Sequence, residues 1–285
     1  MIDTQLTRRF GLIFPIISFP EPWIATGHLA AEICKAGALG VVGAGPCDRD
    51  WITTQFETAG NTSIACGLYS NRLAREPEML DFVLSLKPRA IYLSGADPRP
   101  FAEIIHKQKC RLICEARSVD EFDTILEAGA EVLVIRSERE NHSNSAETPF
   151  SLVTEASDYL YTRDDDVILV ASGGVIDARG LAAMLALGAD GVCMGRRLWA
   201  TEESAISGDA LNQTLGPFGR LIKDAPAMRP LLRTIGMRAE RILSHMPRKI
   251  VNEPPGPSAI GELGQDYVLE DFSKTVKPEK YPDDQ

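Results

Sequence analysis

Long hydrophobic runs and an excess of basic residues are both missing from this 285-residue chain. No apolar stretch approaches the roughly 20 consecutive residues that a membrane span needs. There are 30 Lys and Arg residues against 40 Asp and Glu residues, and the resulting net charge of −10 repels the phosphates of nucleic acids and of anionic membranes. The sequence therefore predicts neither a membrane protein nor a nucleic-acid-binding protein.

The six cysteines are scattered and form no metal or redox motif. Cys110 and Cys114 are the nearest pair, and no second pair matches their spacing, so we expect no metal site. Most of the cysteines lie in apolar segments, which is typical of small core residues in a reducing compartment. Two arginines precede an early apolar run as in an export signal, but Pro15 interrupts that run and Glu21 follows it closely. We therefore expect a cytoplasmic protein.

Eight short apolar runs bounded by turn-forming residues predict eight β-strands. The runs are Ile13–Ser18, Leu39–Val42, Ile64–Tyr69, Ala90–Leu93, Arg111–Glu115, Val132–Arg136, Val167–Ala171 and Gly191–Met194. Segments with helical spacing lie between several of them, namely Ile24–Lys35, Glu76–Leu86, Val119–Glu127 and Ala178–Leu187. This alternation produces parallel strands with helices outside them, and eight such strands predict a (β/α)8 TIM barrel of the α/β class. A doubly wound open sheet would share the alternation.

Three of the predicted helix-to-strand units end in the same way, with the sequences KAGALGVVGAG, EAGAEVLVIRS and ALGADGVCMGR. In each, a glycine ends the helix, a small residue forms a tight turn and a buried strand follows. In the last unit, Asp177 is well placed to cap the start of the helix and Gly188 to end it in the left-handed conformation.

The segment Val167–Ser204 contains two successive strands that each end in a glycine turn. Ser172, Gly173 and Gly174 follow the first strand, and Gly195 and Arg196 follow the second. Glycine lets backbone N–H groups approach an anion closely, and the loops after the seventh and eighth strands of such barrels are the recurrent phosphate site. The two turns predict a phosphorylated cofactor; the alternative is two ordinary turns.

The chain after this segment predicts one long helix and an irregular end. Arg229–His245 carries an apolar stripe that would close the outer layer of the barrel; the stripe consists of Leu231, Leu232, Ile235, Ala239, Ile242 and Leu243. Several prolines follow Val251 and disfavour long regular elements. We therefore predict one barrel domain over residues 1–250, with this C-terminal helical extension, and a proline-rich irregular tail over residues 251–285.

The stretches FPIISFPEP, LAAEICKAGALGVVGAG, VILVASGGVIDARGLAAMLALGADGVCMG and ATEES resemble the nitronate monooxygenase family, over roughly residues 10 to 204. Members of this family are FMN-dependent TIM barrels, and flavin-dependent enoyl reductases share the motif. The resemblance implies FMN as the cofactor, with Ser172, Gly173, Gly174, Gly195 and Arg196 around its phosphate. The further cofactor positions that it implies are Phe19, Gly67 and Glu115.

The catalytic signature of the family is an E-A-G-G-H run after the sixth strand. The same place reads Glu138, Arg139, Glu140, Asn141 and His142, so the ends of the run match and the middle does not. By resemblance His142 takes the catalytic position, where an imidazole with a pKa near neutrality can remove a proton next to a nitro group or stabilise the resulting anion. The alternative is an exposed loop histidine.

Four further positions differ from the family pattern. Glu21 replaces a methionine, Gly67 an asparagine, Glu115 a neutral polar residue and Arg196 a threonine. A carboxylate at position 115 would oppose a reduced, anionic flavin unless it is paired. Arg196 could hold a phosphate with two hydrogen bonds, or point outward and bind a nearby carboxylate.

Three functions follow from these observations. The first is an FMN-dependent oxidoreductase that oxidises a small carbon acid, such as an alkyl nitronate, with oxygen as the electron acceptor. The second keeps the barrel and FMN but reduces an activated double bond with NAD(P)H. The third is a barrel that has lost catalysis and serves as a binding or partner subunit. The sequence leaves open whether the chain forms a homo-oligomer.

Overall fold

A computed structural model gives the fold and describes residues 2–44, 48–136, 149–163, 166–206 and 226–245. Its strands are β1 (Ile16–Ser18), β2 (Val41–Gly43), β3 (Ala65–Tyr69), β4 (Ala90–Ser94), β5 (Arg111–Ala116), β6 (Val132–Arg136), β7 (Ile168–Ser172) and β8 (Gly191–Met194). All eight pair in parallel, in the order β1-β8-β7-β6-β5-β4-β3-β2. A bridge between Ile17 and Leu39 links β1 to the segment before β2. The sheet is therefore a nearly closed barrel, and the predicted TIM barrel is confirmed.

Helices lie between the strands along the chain. They are α1 (Gln5–Phe10), α2 (Gly27–Lys35), α3 (Arg49–Ala59), α4 (Ser70–Leu73), α5 (Glu78–Ser85), α6 (Arg99–Lys107), α7 (Phe122–Glu127), α8 (Pro149–Arg163), α9 (Ala178–Ala186), α10 (Arg196–Trp199) and α11 (Met228–Ser244), with a 3-10 turn at Val119–Glu121. Among the described residues, no helix is both long and apolar enough to cross a membrane.

The predicted limits of the first strand need correction. Regular pairing starts at Ile16, and the Ile13 side chain is 47% exposed rather than buried. The N–H groups of Ile13 and Phe14 both donate to the Gly37 carbonyl, and Pro15 has no N–H to donate to a ladder. The chain before Ile16 is therefore bound to the turn after α2 instead of to a neighbouring strand.

The predicted helix signals act as expected. The Asp177 carboxylate accepts hydrogen bonds from the N–H groups of Arg179 at 2.9 Å and Gly180 at 3.1 Å, which caps α9. The three glycines that end the repeated units have left-handed backbones, with φ of 100° at Gly37, 71° at Gly129 and 103° at Gly188. These local signals fix where each helix stops and the next strand begins.

The core consists of the strand interiors and the inner faces of the helices. Every residue of β4, β7 and β8 is buried. The apolar stripe of α11 packs inward as predicted, since Leu231, Leu232, Ile235 and Ala239 are buried. This helix packs on α9 and α2 and thereby covers the outside of the barrel where the last and first units meet. The predicted tail, residues 251–285, lies outside the described residues.

Candidate active site

The carboxyl ends of the eight parallel strands form one rim of the barrel, which is where barrels of this kind carry their chemistry. Phe19 and Glu21 follow β1, Glu115 lies near the end of β5, Arg136 ends β6 and Ser172 ends β7. All eight strands are parallel, so these residues, which lie at or just after strand ends, are at the same end of the barrel.

Glu115 is the centre of an ion-pair network at this rim, with a side chain that is 0% exposed. Tyr92 on β4 donates its hydroxyl to Oε2 at 2.9 Å, and Arg136 Nη1 donates to Oε1 at 3.3 Å. Arg117 Nε lies 3.6 Å from the same Oε1. We call Tyr92, Glu115, Arg117 and Arg136 the rim cluster. Two guanidinium groups flank the buried carboxylate, so its charge is paired. The sequence predicted that an unpaired carboxylate at this position would oppose a reduced flavin, and the pairing removes that conflict.

Phe19 connects the rim cluster to the last strand of the barrel. The Arg136 guanidinium lies 4.6 Å from the centroid of its ring. The ring contacts Tyr92 edge-on and Trp199 at a tilt, with centroids 6.5 Å apart in both cases. Phe19 is 9% exposed. It therefore fixes the direction of Arg136 through a cation–π contact and is itself part of the barrel packing.

Two buried groups next to Glu115 hold their protons at neutral pH. Burial and the Glu115 charge raise the pKa of the Tyr92 hydroxyl well above its ordinary value, so Tyr92 remains a hydrogen-bond donor. Burial raises the pKa of the Cys193 thiol to about 12, and the Glu115 charge acts in the same direction. Neither residue is suited to remove a proton from a substrate near neutrality.

Glu21 and Tyr69 form the more open side of the same rim. Burial raises the pKa of the Glu21 carboxyl, while the nearby charge of Arg136 lowers it. Burial also raises the pKa of Tyr69, and the charges of Glu21 and Glu115 add to that increase. Glu21 is thus a half-buried carboxyl whose pKa is displaced toward neutrality, which is the direction that a general base needs.

The turn after β7 leaves open space for an anion. Gly173 and Gly174 both have positive φ, 108° and 71°. A Cβ atom placed on Gly174 would meet no heavy atom within 4 Å. The Ser172 side chain before them is buried. The turn therefore presents bare backbone to an unfilled space, as a phosphate cradle requires.

The turn after β8 is bordered by an indole group. A Cβ atom on Gly195 would lie 2.9 Å from Trp199 Cζ2 and 3.4 Å from Phe19 Cβ, so only glycine fits there. The Nε1 atom of Trp199 is buried and has no hydrogen-bond partner among the described residues. A buried donor without a partner costs about 1–3 kcal/mol. The Gly174 backbone in the preceding turn is open to a ligand, so the residues present fit the phosphate of FMN.

Packing alone explains why position 67 is a glycine. A Cβ atom at this position would lie 2.4 Å from Pro20 Cβ and 2.8 Å from Pro20 Cγ. The asparagine expected from the family therefore has no room beneath the Pro20 ring. Cofactor contact by the Gly67 backbone stays a prediction.

The structure does not decide the roles predicted for Arg196 and His142. Arg196 is exposed at the first residue of α10, and both interpretations of its side chain stay open. His142 lies outside the described residues, together with the rest of the altered signature. Among the described residues, no group of three or more His, Cys, Asp or Glu side chains could hold a metal ion.

Neither the partners of Glu115 nor the position of Trp199 beside the last turn was predicted from the sequence. A tyrosine inside an apolar strand and an arginine at the end of one, as in AIYLS and VLVIR, are the signals that could have indicated Tyr92 and Arg136. Trp199 comes four residues after Gly195, a spacing that brings a helical side chain back over the turn.

Comparisons with known proteins show what this chain is similar to. The family model described as "Nitronate monooxygenase" matches residues 68–215, just over half of the chain. A nitronate monooxygenase of Paraburkholderia phytofirmans is 26% identical over 75% of this chain and 71% of its own length. One of Neurospora crassa is 28% identical over 67% of this chain and 61% of its own. The solved structure of FabK from Thermotoga maritima superposes with a TM-score of 0.72 at 19% identity, over 86% of this chain and 98% of that one.

Proposed function

Because the chain belongs to the nitronate monooxygenase family, whose members are oxidoreductases, we propose that it is an FMN-dependent enzyme that oxidises a small carbon acid, such as an alkyl nitronate, with oxygen. The observation that supports the cofactor part is the turn after β7, where Gly173 and Gly174 have positive φ and a Cβ atom on Gly174 would meet no heavy atom within 4 Å. Ser172, Gly173, Gly174 and Gly195 would hold the phosphate.

When bound, the flavin would supply the redox chemistry by taking two electrons from the substrate. The rim cluster supports a polar reaction at the same end of the barrel. Its two guanidinium groups pair with the Glu115 carboxylate, and Phe19 holds that of Arg136 in place. A guanidinium group fixed at this rim stabilises an anion that forms next to it from a carbon acid.

The proton-transfer group has two candidates. By family resemblance it is His142, and its imidazole would take the proton next to the nitro group. Glu21 is the second candidate, supported by its place after β1 and by the burial that raises its pKa. With the neutral nitroalkane as substrate, substituting the true base should reduce turnover roughly a hundredfold or more, whereas the nitronate, which has already lost that proton, should be oxidised at close to the wild-type rate. His142→Ala and Glu21→Gln, compared over a pH series, distinguish the two, since only loss of the true base removes the ascending limb of the profile.

The test of the function starts from the visible spectrum of the purified protein. Flavin absorption, followed by oxygen uptake with an alkyl nitronate, supports the proposal. A colourless protein that FMN does not reconstitute rejects it, and favours a barrel that has lost catalysis. NAD(P)H oxidation with an enoyl thioester, without nitronate-dependent oxygen uptake, would instead indicate the reductase.

A further inference from the structure

A second cationic site lies outside the barrel, between α9, α10 and α11. A groove of about 590 Å³ opens there, and this is within the size range of ligand pockets. Its floor is apolar and is formed by Ile176 and Ile242, which are partly exposed. We call it the arginine groove because Arg179, Arg197, Arg238 and Arg241 line it.

Three of these arginines have no acidic partner among the described residues. Asp177 is the acidic residue of the lining, and it is bound to Arg179 with an Nη2–Oδ2 distance of 2.6 Å. In the part of the chain that the structure describes, no carboxylate lies within ion-pair distance of Arg197, Arg238 or Arg241. Four arginines against one aspartate give the groove a charge of about +3 in a chain whose net charge is −10. This distribution favours an anionic ligand.

Arg197 distinguishes the groove from an ordinary solvated helix surface. It is half-buried, and burial lowers the pKa of its guanidinium. The hydrogen bond that its side chain makes is a long one, from Nη1 to the Ala200 carbonyl at 3.5 Å. A guanidinium withdrawn from water with so little compensation is stabilised by an anion next to it.

The spacing on α11 aligns the other groups. Thr234, Arg238 and Arg241 stand at positions i, i+4 and i+7 and so lie along one face of the helix. That row borders the apolar floor of the groove. A ligand with phosphoryl groups at one end and a flat apolar ring at the other matches a row of guanidinium groups beside an apolar surface.

We propose that the arginine groove binds a nucleoside diphosphate group, with its phosphates against Arg197, Arg238 and Arg241 and its base over the floor of Ile176 and Ile242. The groove is distinct from the flavin turns, because Gly173, Gly174 and Gly195 are not part of its lining. The inference therefore does not depend on the proposed function.

The test is calorimetric titration of the full chain with ADP at low ionic strength. Arg238→Gln combined with Arg241→Gln should weaken ADP binding by at least about tenfold, since hydrogen bonds to charged groups are lost. Arg233→Gln is the matched control, because Arg233 is exposed on the same helix and does not line the groove. It should change the affinity less than about twofold. Circular dichroism checks that the variants are folded.

Three results of these titrations would overturn the inference. They are no ADP binding by the wild-type chain, equal affinity in the double variant and the control, and binding of pyrophosphate as tight as that of ADP. A Gly174→Asp variant separates this site from the flavin turn: ADP binding should persist there while FMN binding is lost, and loss of both would place ADP in the turn.

Discussion

Substituting Arg136 by methionine tests whether the rim cluster is an energetic unit. Methionine keeps much of the contact with Phe19 but removes the charge 3.3 Å from Glu115 Oε1. Removing one partner of a buried ion pair typically costs about 3–5 kcal/mol, because the remaining charge stays buried. Here Arg117 and Tyr92 still contact the carboxylate, and Arg136 is 34% exposed. We therefore expect a smaller loss of unfolding free energy, about 2–3 kcal/mol.

A double-mutant cycle isolates the interaction between the two residues. Glu115→Gln removes the buried charge, so adding Arg136→Met to it no longer leaves a carboxylate without its partner. The double variant should therefore be more stable than the sum of the single losses implies, by at least about 1 kcal/mol. Arg99→Met is the matched control, because Arg99 forms exposed ion pairs with Asp97 and Glu127. It should cost much less than Arg136→Met does, because exposed ion pairs contribute little to stability.

Urea unfolding followed by circular dichroism gives all of these free energies, provided that the slopes with urea agree among the variants. The account of the rim is refuted if Arg136→Met costs no more than Arg99→Met. It is also refuted if the cycle shows no coupling, since Glu115 would then be stable without Arg136.

Three other substitutions test local features of the fold. Gly67→Ala should destabilise the chain by about 1–3 kcal/mol in urea unfolding, because the new methyl group would lie 2.4 Å from Pro20 Cβ; unchanged stability would mean that the loop after β1 yields freely. Asp177→Ala should cost about 1 kcal/mol through loss of the α9 cap, similar to Asp48→Ala at the cap of α3, and a thermal midpoint equal to that of the wild type would contradict the capping role. Burial raises the pKa of Asp190, so its contribution to stability is present below about pH 4 and is lost as the pH rises through the folded value. Asp190→Asn does not titrate and should therefore gain stability relative to the wild type from about pH 3 to about pH 7; a constant difference in unfolding free energy would show that the pKa is not raised.

The fold was predictable because its signals are local. Each strand is a short apolar run, and the glycines that end α2, α7 and α9 act within a few residues of the strands they precede. The limits of β1 were less predictable. Ile13 is as apolar as Ile16, but it is held by the carbonyl of Gly37, a contact that no local pattern indicates.

The rim cluster could not be predicted because it depends on contacts between strands. Tyr92, Glu115 and Arg136 come from β4, β5 and β6, and the alignment of those strands decides which side chains meet. The sequence identified Glu115 as a charge that needs a partner, but it did not identify the partner. The glycine turns were predictable since their chemistry depends on the backbone of a few consecutive residues.

The most direct test of the central claim compares FMN with riboflavin, which lacks the phosphate, in fluorescence titrations of Gly174→Asp and Gly174→Asn. Both side chains tolerate a left-handed backbone, and the space at Gly174 is open, so the two variants differ chiefly in charge. If the turn holds the phosphate, the wild type binds FMN more tightly than riboflavin, and the aspartate weakens FMN at least about tenfold more than the asparagine does. Riboflavin affinity should be the same in both variants. Equal loss of FMN in the two variants, or equal affinity of the wild type for both flavins, would contradict the claim.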